Sequence, residues 1–204
     1  MSRLSRVPQA LLVSLLFAVI AGCTAAPQVS NELPDWVRVV VPERDGRSLF
    51  VGGAAFAVDP QTGVEEAMGD ARSQIHLEAT KRFTDLFGRG LRESGVETTS
   101  MERVGIKNSI TGAFGDRMSE AARRDTVYYR PCGDAGAEAG AGVCQIFVLM
   151  SVDASLWNRE LGELLAVEES RRSAEGEEQA ARFVEWLMRE VLDKQPEEAR
   201  ERSR

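Results

Sequence analysis

The chain has 204 residues, of which 43% are hydrophobic, and its formal net charge is −7 at pH 7. Once terminal segments are set aside, this length corresponds to about one domain of ordinary size. An acidic surface is a poor electrostatic match for nucleic acid and for anionic lipid headgroups. We therefore expect neither of them as an electrostatic partner.

The N-terminal segment has the features of a secretory signal peptide. Arg3 and Arg6 supply positive charge, and an almost unbroken apolar run follows from Leu11 to Ala21. A membrane-spanning helix needs ~20 apolar residues, so this shorter run is typical of a signal peptide. It closes on Ile20-Ala21-Gly22-Cys23, which resembles the lipobox of bacterial lipoproteins. The resemblance implies cleavage before Cys23 and lipidation of Cys23, and several acyl chains would give stable membrane attachment. An uncleaved anchor and a coincidental cysteine are the alternatives.

Residues 1–22 are accordingly predicted to be a signal peptide, and residues 23–33 the lipidated cysteine with a flexible tether. Thr24 follows the cysteine, whereas lipoproteins of this kind that stay in the inner membrane often have Asp there. The resemblance thus favours lipid anchoring in the bacterial outer membrane, on the periplasmic face. Fully extended, residues 24–32 would reach ~30 Å at roughly 3.5 Å per residue, so the folded part should stay close to its membrane.

The other two cysteines indicate a disulfide. If Cys23 carries lipid, Cys132 and Cys144 remain as a pair in an oxidising compartment. They flank a loop rich in Gly and Ala, residues 133–143, with strand-like runs on both sides. A disulfide at the neck of this hairpin would remove loop entropy worth roughly 3 kcal/mol. Two free thiols or a metal site are the alternatives, although zinc usually takes four Cys or His ligands and the lone His76 lies far away in sequence.

The first elements of the folded part are predicted to be strands. Val37, Val39 and Val41 alternate with other residues as in a first strand, and Leu49–Ala57 forms a second. Asp45-Gly46 between them is a hairpin turn signal. The paired glycines Gly52 and Gly53 indicate a bulge or close packing under a helix.

Two helices are predicted next. The first begins at Asp59-Pro60, a cap followed by a first-turn proline, and has Gly95 as its last stop signal. Apolar residues recur in it at spacings of three and four, which predicts one buried face. Thr99 or Ser100 caps the second helix, and its predicted inward residues are Met101, Val104, Ile110 and Phe114.

The remaining elements are a hairpin and two C-terminal helices. The hairpin strands are predicted at Ala121–Arg130 and Cys144–Val152, and a helix follows from Ser155 to Arg171. After a break at 173–176, the last helix runs to Leu192 with an apolar stripe of Ala180, Phe183, Leu187 and Val191. Strands precede and follow the long helix without strict alternation. We therefore predict an α+β fold, with a small antiparallel sheet packed by a long amphipathic helix and a helical C-terminal extension.

Several short motifs resemble the LPP-twenty family of small bacterial envelope lipoproteins. They are Pro34-Asp35-Trp36-Val37, Phe50-Val51-Gly52-Gly53-Ala54, the helix with Glu65-Glu66-Ala67 and Asp70-Ala71, and the strand from Phe147 to Asp153. The resemblance implies an α+β lipoprotein domain at residues 34–153. The Cys-flanked loop and residues 154–204, the C-terminal helical extension with its charged tail, look like additions. The resemblance further implies an envelope protein without established catalysis, and no catalytic residue is carried over from it.

Common catalytic signatures are absent from the sequence, including the Gly-x-Ser-x-Gly elbow, the His-Glu-x-x-His pair, the phosphate loop and Cys-x-x-Cys. His76 is interpreted as a surface or boundary residue of the long helix. The neighbouring Glu65 and Glu66 point in different directions on that helix and are interpreted as a solvated face. We predict that the protein is not an enzyme and has no cofactor, metal or catalytic residue. Trp36, Trp157 and Trp186 are interpreted as packing residues, with an exposed docking tryptophan as the alternative.

Three functions fit these features. The favoured one is a lipid-anchored envelope protein with a non-catalytic binding or assembly role in the periplasm or outer membrane. It would attach to the membrane through its N-terminal lipid and dock an envelope protein through the exposed sheet edge or the C-terminal helix. The second is a regulator of a cell-wall synthase, against which the short tether counts. The third is an enzyme with an unrecognised type of site.

Overall fold

The computed structural model describes residues 32–38, 43–55, 59–131 and 143–193. In chain order the elements are α1 (Asp35–Arg38), β1 (Glu43–Arg44), β2 (Arg47–Ala55), α2 (Pro60–Glu93), α3 (Ser100–Ala121), β3 (Arg123–Pro131), β4 (Val143–Asp153), α4 (Ala154–Ala174) and α5 (Glu178–Asp193). The strands form one antiparallel sheet in the order β1-β2-β4-β3. The predicted α+β class is confirmed. Across these ranges, none of the helices has the length and apolar character needed to cross a membrane.

The start of the folded part differs from the prediction. Residues 35–38 form the helical turn α1, in which the Val37 N–H donates to the Pro34 carbonyl at 2.9 Å. The strand predicted from Val37 to Val41 is therefore wrong at its start, and Val39 and Val41 lie outside the described residues. Asp35 in the first turn and Arg38 in the last suit the dipole of a short helix.

The predicted Asp45-Gly46 turn is confirmed between β1 and β2. Both residues have positive φ, 51° for Asp45 and 72° for Gly46, as a two-residue hairpin turn requires. The hairpin pairs Glu43 with Ser48 and Arg44 with Arg47. From there β2 runs along β4 in continuous register, so β2 and β4 form the centre of the sheet.

Helix α2 begins at the predicted cap and packs closely on the sheet. The Asp59 carboxylate accepts the Thr62 N–H at 2.8 Å, and this backbone hydrogen bond lowers the pKa of Asp59. Gly52 lies directly beneath the helix, because a Cβ added there would come within 1.9 Å of the Ala67 carbonyl oxygen. Beside it, the Gly53 N–H donates to Asp70 Oδ2 at 3.0 Å. The predicted close packing under a helix is confirmed.

Helix α3 is capped by Thr99, one of the two predicted caps. The Glu102 N–H donates to Thr99 Oγ1 and the Thr99 N–H donates to Glu102 Oε2, a complete capping box. Ile110 and Phe114 are buried as predicted, but Met101 is 85% exposed and Val104 is 58% exposed. At ~100° per residue, Val104 and Met101 are rotated by about 120° and 180° from Ile110 around the helix. Their predicted inward orientation is therefore wrong.

Helices α4 and α5 form a hairpin that shares the core of α2, α3 and the sheet. Asp153 caps α4, and Gly176 between the helices has φ +76°, which agrees with the predicted break. The predicted stripe on α5 is buried and joins a single apolar cluster with Phe83 of α2 and Trp157 of α4. The C-terminal helices thus belong to the same hydrophobic core as the sheet and α2.

Candidate interaction surface

The residues predicted to carry lipid and disulfide lie largely outside the described part. Cys23 and Cys132 are outside it altogether. Cys144 is placed by its backbone in β4, one residue after the strand begins. The predicted lipidation and the predicted disulfide therefore both stay predictions.

His76 lies where α2 and α3 approach each other. A Cβ at Gly115 would come within 2.2 Å of His76 Nδ1, so a larger residue at this crossing would require the imidazole to move. The imidazole is half-exposed, and its Nδ1 lies 3.8 Å from Asp116 Oδ1. This is the boundary position predicted for His76. Within the described ranges, no three His, Cys, Asp or Glu side chains are grouped so that they could hold a metal ion.

The three tryptophans differ in their surroundings. Trp157 is 1% exposed, and its Nε1–H donates to Ser48 Oγ at 3.0 Å. The Arg82 guanidinium lies 4.5 Å from the centroid of the Trp157 ring, a cation–π arrangement. Trp36 and Trp186 are half-buried. Trp157 is thus a packing residue that links α4 to the sheet.

The C-terminal helix does not present its apolar face for docking, because α5 buries that face in the core. The same helical hairpin encloses a charged group. Arg172 donates to Glu168 at 2.7 Å and also pairs with Glu177, and both Arg172 and Glu168 are buried. Burial raises the pKa of Glu168, but hydrogen bonds from Arg171 and Arg172 outweigh it and hold this pKa below its ordinary value. This group links α4 to Glu177, the residue that precedes α5.

The sheet edge, in contrast, borders an open groove. Strand β3 is an edge strand, and α2 packs above β2 and β4. Between β3 and the first turns of α2 lies a groove of about 790 Å³, which we call the β3–α2 groove. Its apolar lining consists of Pro60, Val64, Met68 and Tyr129.

The two ends of the β3–α2 groove differ in chemistry. Tyr129 is opposite Ile146 in the sheet, and Arg124 is opposite Met150, so these two side chains lie on the α2 side at opposite ends of β3. Arg72 of α2 lines the groove together with Arg124. Neither arginine forms an ion pair with a carboxylate of the described residues. One end is therefore apolar and aromatic, and the other is basic, on a chain whose net charge is −7.

The opposite side of the sheet, which we call the outer face, receives the start of the folded chain. Tyr128 is opposite Phe147 on this face and stacks on its ring, with the centroids 6.4 Å apart. The Tyr128 hydroxyl donates to the Glu32 carbonyl at 2.9 Å. The segment that leads from the tether into the fold is thus fixed on the outer face, away from the β3–α2 groove.

The sequence predicted a docking role for the sheet edge but not the groove beside it. The groove could not be predicted because it depends on the position of α2, which lies over β2 and β4 and leaves space beside β3. The signal that could have indicated a basic edge is Arg123-Arg124 at the start of β3 with Arg130 near its end, in an acidic chain.

Comparison of the chain with protein-family models, with curated proteins and with solved structures finds no match.

Proposed function

We propose that the protein is a lipid-anchored component of the bacterial envelope with a non-catalytic binding or assembly role. The observation that carries the proposal is Ile20-Ala21-Gly22-Cys23, placed at the end of an apolar run that follows Arg3 and Arg6. A lipidated Cys23 would hold the folded part at the periplasmic face of the outer membrane. The resemblance to the LPP-twenty family supports the same class of protein.

The way the chain enters the fold is consistent with such an anchor. Glu32 is held at the outer face by Tyr128, and residues 24–31 separate it from Cys23. The β3–α2 groove lies on the other side of the sheet. A partner in the groove would therefore not compete with the contact between Tyr128 and Glu32.

The experiment is replacement of Cys23 by alanine in the full chain, with Thr24→Ala as the matched control. If Cys23 is the modified residue, C23A should accumulate as the unprocessed precursor, whereas T24A should be cleaved and acylated. Mass spectrometry of the extracted proteins measures both, and density-gradient separation of the two membranes tests the proposed location. Normal processing and membrane retention of C23A would contradict the proposal.

A further inference from the structure

We propose that the β3–α2 groove binds an extended segment of a partner envelope protein, which joins the sheet as a fifth strand beside β3. An apolar side chain of that segment would lie next to Tyr129, and an acidic side chain would lie between Arg72 and Arg124. The inference deepens the proposed function and rests on it, since it names the surface and the chemistry of the binding role.

The backbone of β3 supports strand addition. In the sheet order β1-β2-β4-β3, β4 lies on one side of β3, and the other side is the sheet edge. An edge strand presents backbone N–H and C=O groups that another extended chain can pair with. The register shifts at both ends of β3, between Arg124 and Thr126 and between Arg130 and Pro131. The regular stretch from Thr126 to Arg130 is therefore where an added strand would pair.

The side chains on the α2 side set the apolar part of the specificity. An added strand would lie ~4.8 Å from β3, and every second side chain would point toward α2. There it would meet Val64, Met68 and Tyr129, of which Val64 is buried and the other two are half-buried. Part of this apolar surface is already buried, and a Val, Ile or Leu side chain of the added strand would bury the part that is still exposed to water.

Charge complementarity sets the acidic part. Arg72 and Arg124 face the same end of the groove and have no carboxylate partner among the described residues. Glu65 also lines the groove, so its two arginines exceed its carboxylates by one. Planar guanidinium groups bind carboxylates in a well-defined geometry, which makes Asp or Glu the fitting side chain at this end. Between Arg124 and Tyr129 there is room for alternate residues of a strand of about six residues.

The test uses the full chain, extracted from the membrane in detergent, and fluorescent synthetic peptides as probes. The peptides are acetyl-Asp-Thr-Val-Thr-Val-Thr-amide and its reverse, acetyl-Thr-Val-Thr-Val-Thr-Asp-amide, since the direction of the added strand is not set in advance. Each peptide has two matched controls. In one control Lys replaces Asp, and in the other Pro replaces the Val that is nearer to Asp. Fluorescence anisotropy measures binding. We expect one Asp peptide to bind at least about tenfold more tightly than its Lys and Pro counterparts.

Two neighbouring arginines provide the matched variants. Arg124 faces the groove, whereas Arg123, opposite Ser151, points to the outer face, and both are exposed. R124E should weaken the Asp peptide about tenfold and strengthen the Lys peptide, and R123E should change neither by more than about twofold. Hydrogen exchange measured by mass spectrometry should show slower exchange at residues 126–130 when the Asp peptide is bound.

Three results would overturn the proposal. The first is that neither Asp peptide shows saturable binding up to about 1 mM. The second is that the Asp peptide binds R124E and R123E equally tightly. The third is protection of β3 by anionic phospholipid vesicles but not by peptides, which would make the basic edge a membrane contact. Processing of Cys23, measured on the same preparation, shows separately whether the proposed function itself holds.

Discussion

Replacement of Gly52 by alanine should separate α2 from the sheet. The new Cβ would lie 1.9 Å from the Ala67 carbonyl oxygen and 2.6 Å from the Ala71 nitrogen. Both atoms belong to the backbone of a 34-residue helix, so neither can rotate away as a side chain would. Relief of the overlap requires the helix to retreat by roughly 1.5 Å, since non-bonded heavy atoms are normally about 3.5 Å apart or more.

The retreat of α2 would disturb its packing on the sheet and so lower the free energy of unfolding. Ala67 and Ala71 are both 0% exposed, so the interface at this point is fully packed. Overpacking a well-packed core typically costs ~1–3 kcal/mol, and a backbone contact this short belongs at the upper end. We expect a loss of about 3 kcal/mol in the free energy of unfolding. At ~2–4 °C per kcal/mol for a protein of this size, the melting temperature should fall by roughly 6–12 °C.

The matched control is Gly53→Ala, the next residue on the opposite face of β2. A Cβ there would contact the Phe147 ring at 3.5 Å, an ordinary van der Waals distance. Alanine also restricts the unfolded chain, which stabilises either variant by ~0.4–1 kcal/mol, so the difference between the variants isolates the overlap with α2. Thermal unfolding of the full chain in detergent, followed by circular dichroism, measures both. A G52A protein that melts within about 2 °C of G53A would contradict the predicted overlap of the new Cβ with α2.

Two further predictions concern the charged group and the cysteines. Glu168→Gln removes the buried negative charge that accepts from Arg171 and Arg172 and replaces one of its two acceptor oxygens by an amide donor, so we expect denaturant titration at pH 7 to show a loss of about 2 kcal/mol in unfolding free energy. The pKa of Glu168 is lower in the folded protein than in the unfolded chain, so its carboxylate contributes fully to stability above about pH 4.3. This contribution is lost as the pH falls through the folded-state pKa. A difference in unfolding free energy between the wild type and E168Q that stays constant to about pH 3 would contradict the prediction. Cys132→Ser should lower the melting temperature only without reductant, and identical melting of the wild type with and without reductant would exclude the disulfide to Cys144.

The elements with local signals were predictable from the sequence. Asp59-Pro60 identified the start of α2, and Asp45-Gly46 identified the first hairpin turn, because cap and turn geometry depend on neighbouring residues alone. The prediction for Val37 was wrong, because three alternating valines are too short a pattern to distinguish a strand from a helical turn. Met101 and Val104 were placed inward although the buried face of α3 is set by Ile106, Ile110, Phe114 and Met118.

The candidate surface was predictable only in part. That the sheet would have an exposed edge followed from the small number of strands. The groove depends on where α2 crosses the sheet, and this is set by Gly52 and by the Gly53–Asp70 hydrogen bond. The paired glycines predicted close packing under a helix, but no local pattern identifies Ala67 and Asp70 as the residues that they contact. The C-terminal helix was predicted as a second docking element, but the rest of the core covers its apolar stripe.

We propose that Cys23 anchors the mature protein in the envelope. Intact-mass spectrometry of the wild-type protein extracted from membranes, run with and without reductant, tests it most directly. We expect the mass of residues 23–204 plus acyl chains, with a gain of two hydrogen atoms, one on each sulfur, when the reductant breaks the Cys132–Cys144 bond. An unmodified full-length mass would contradict the anchor and with it the proposed place of this protein in the envelope.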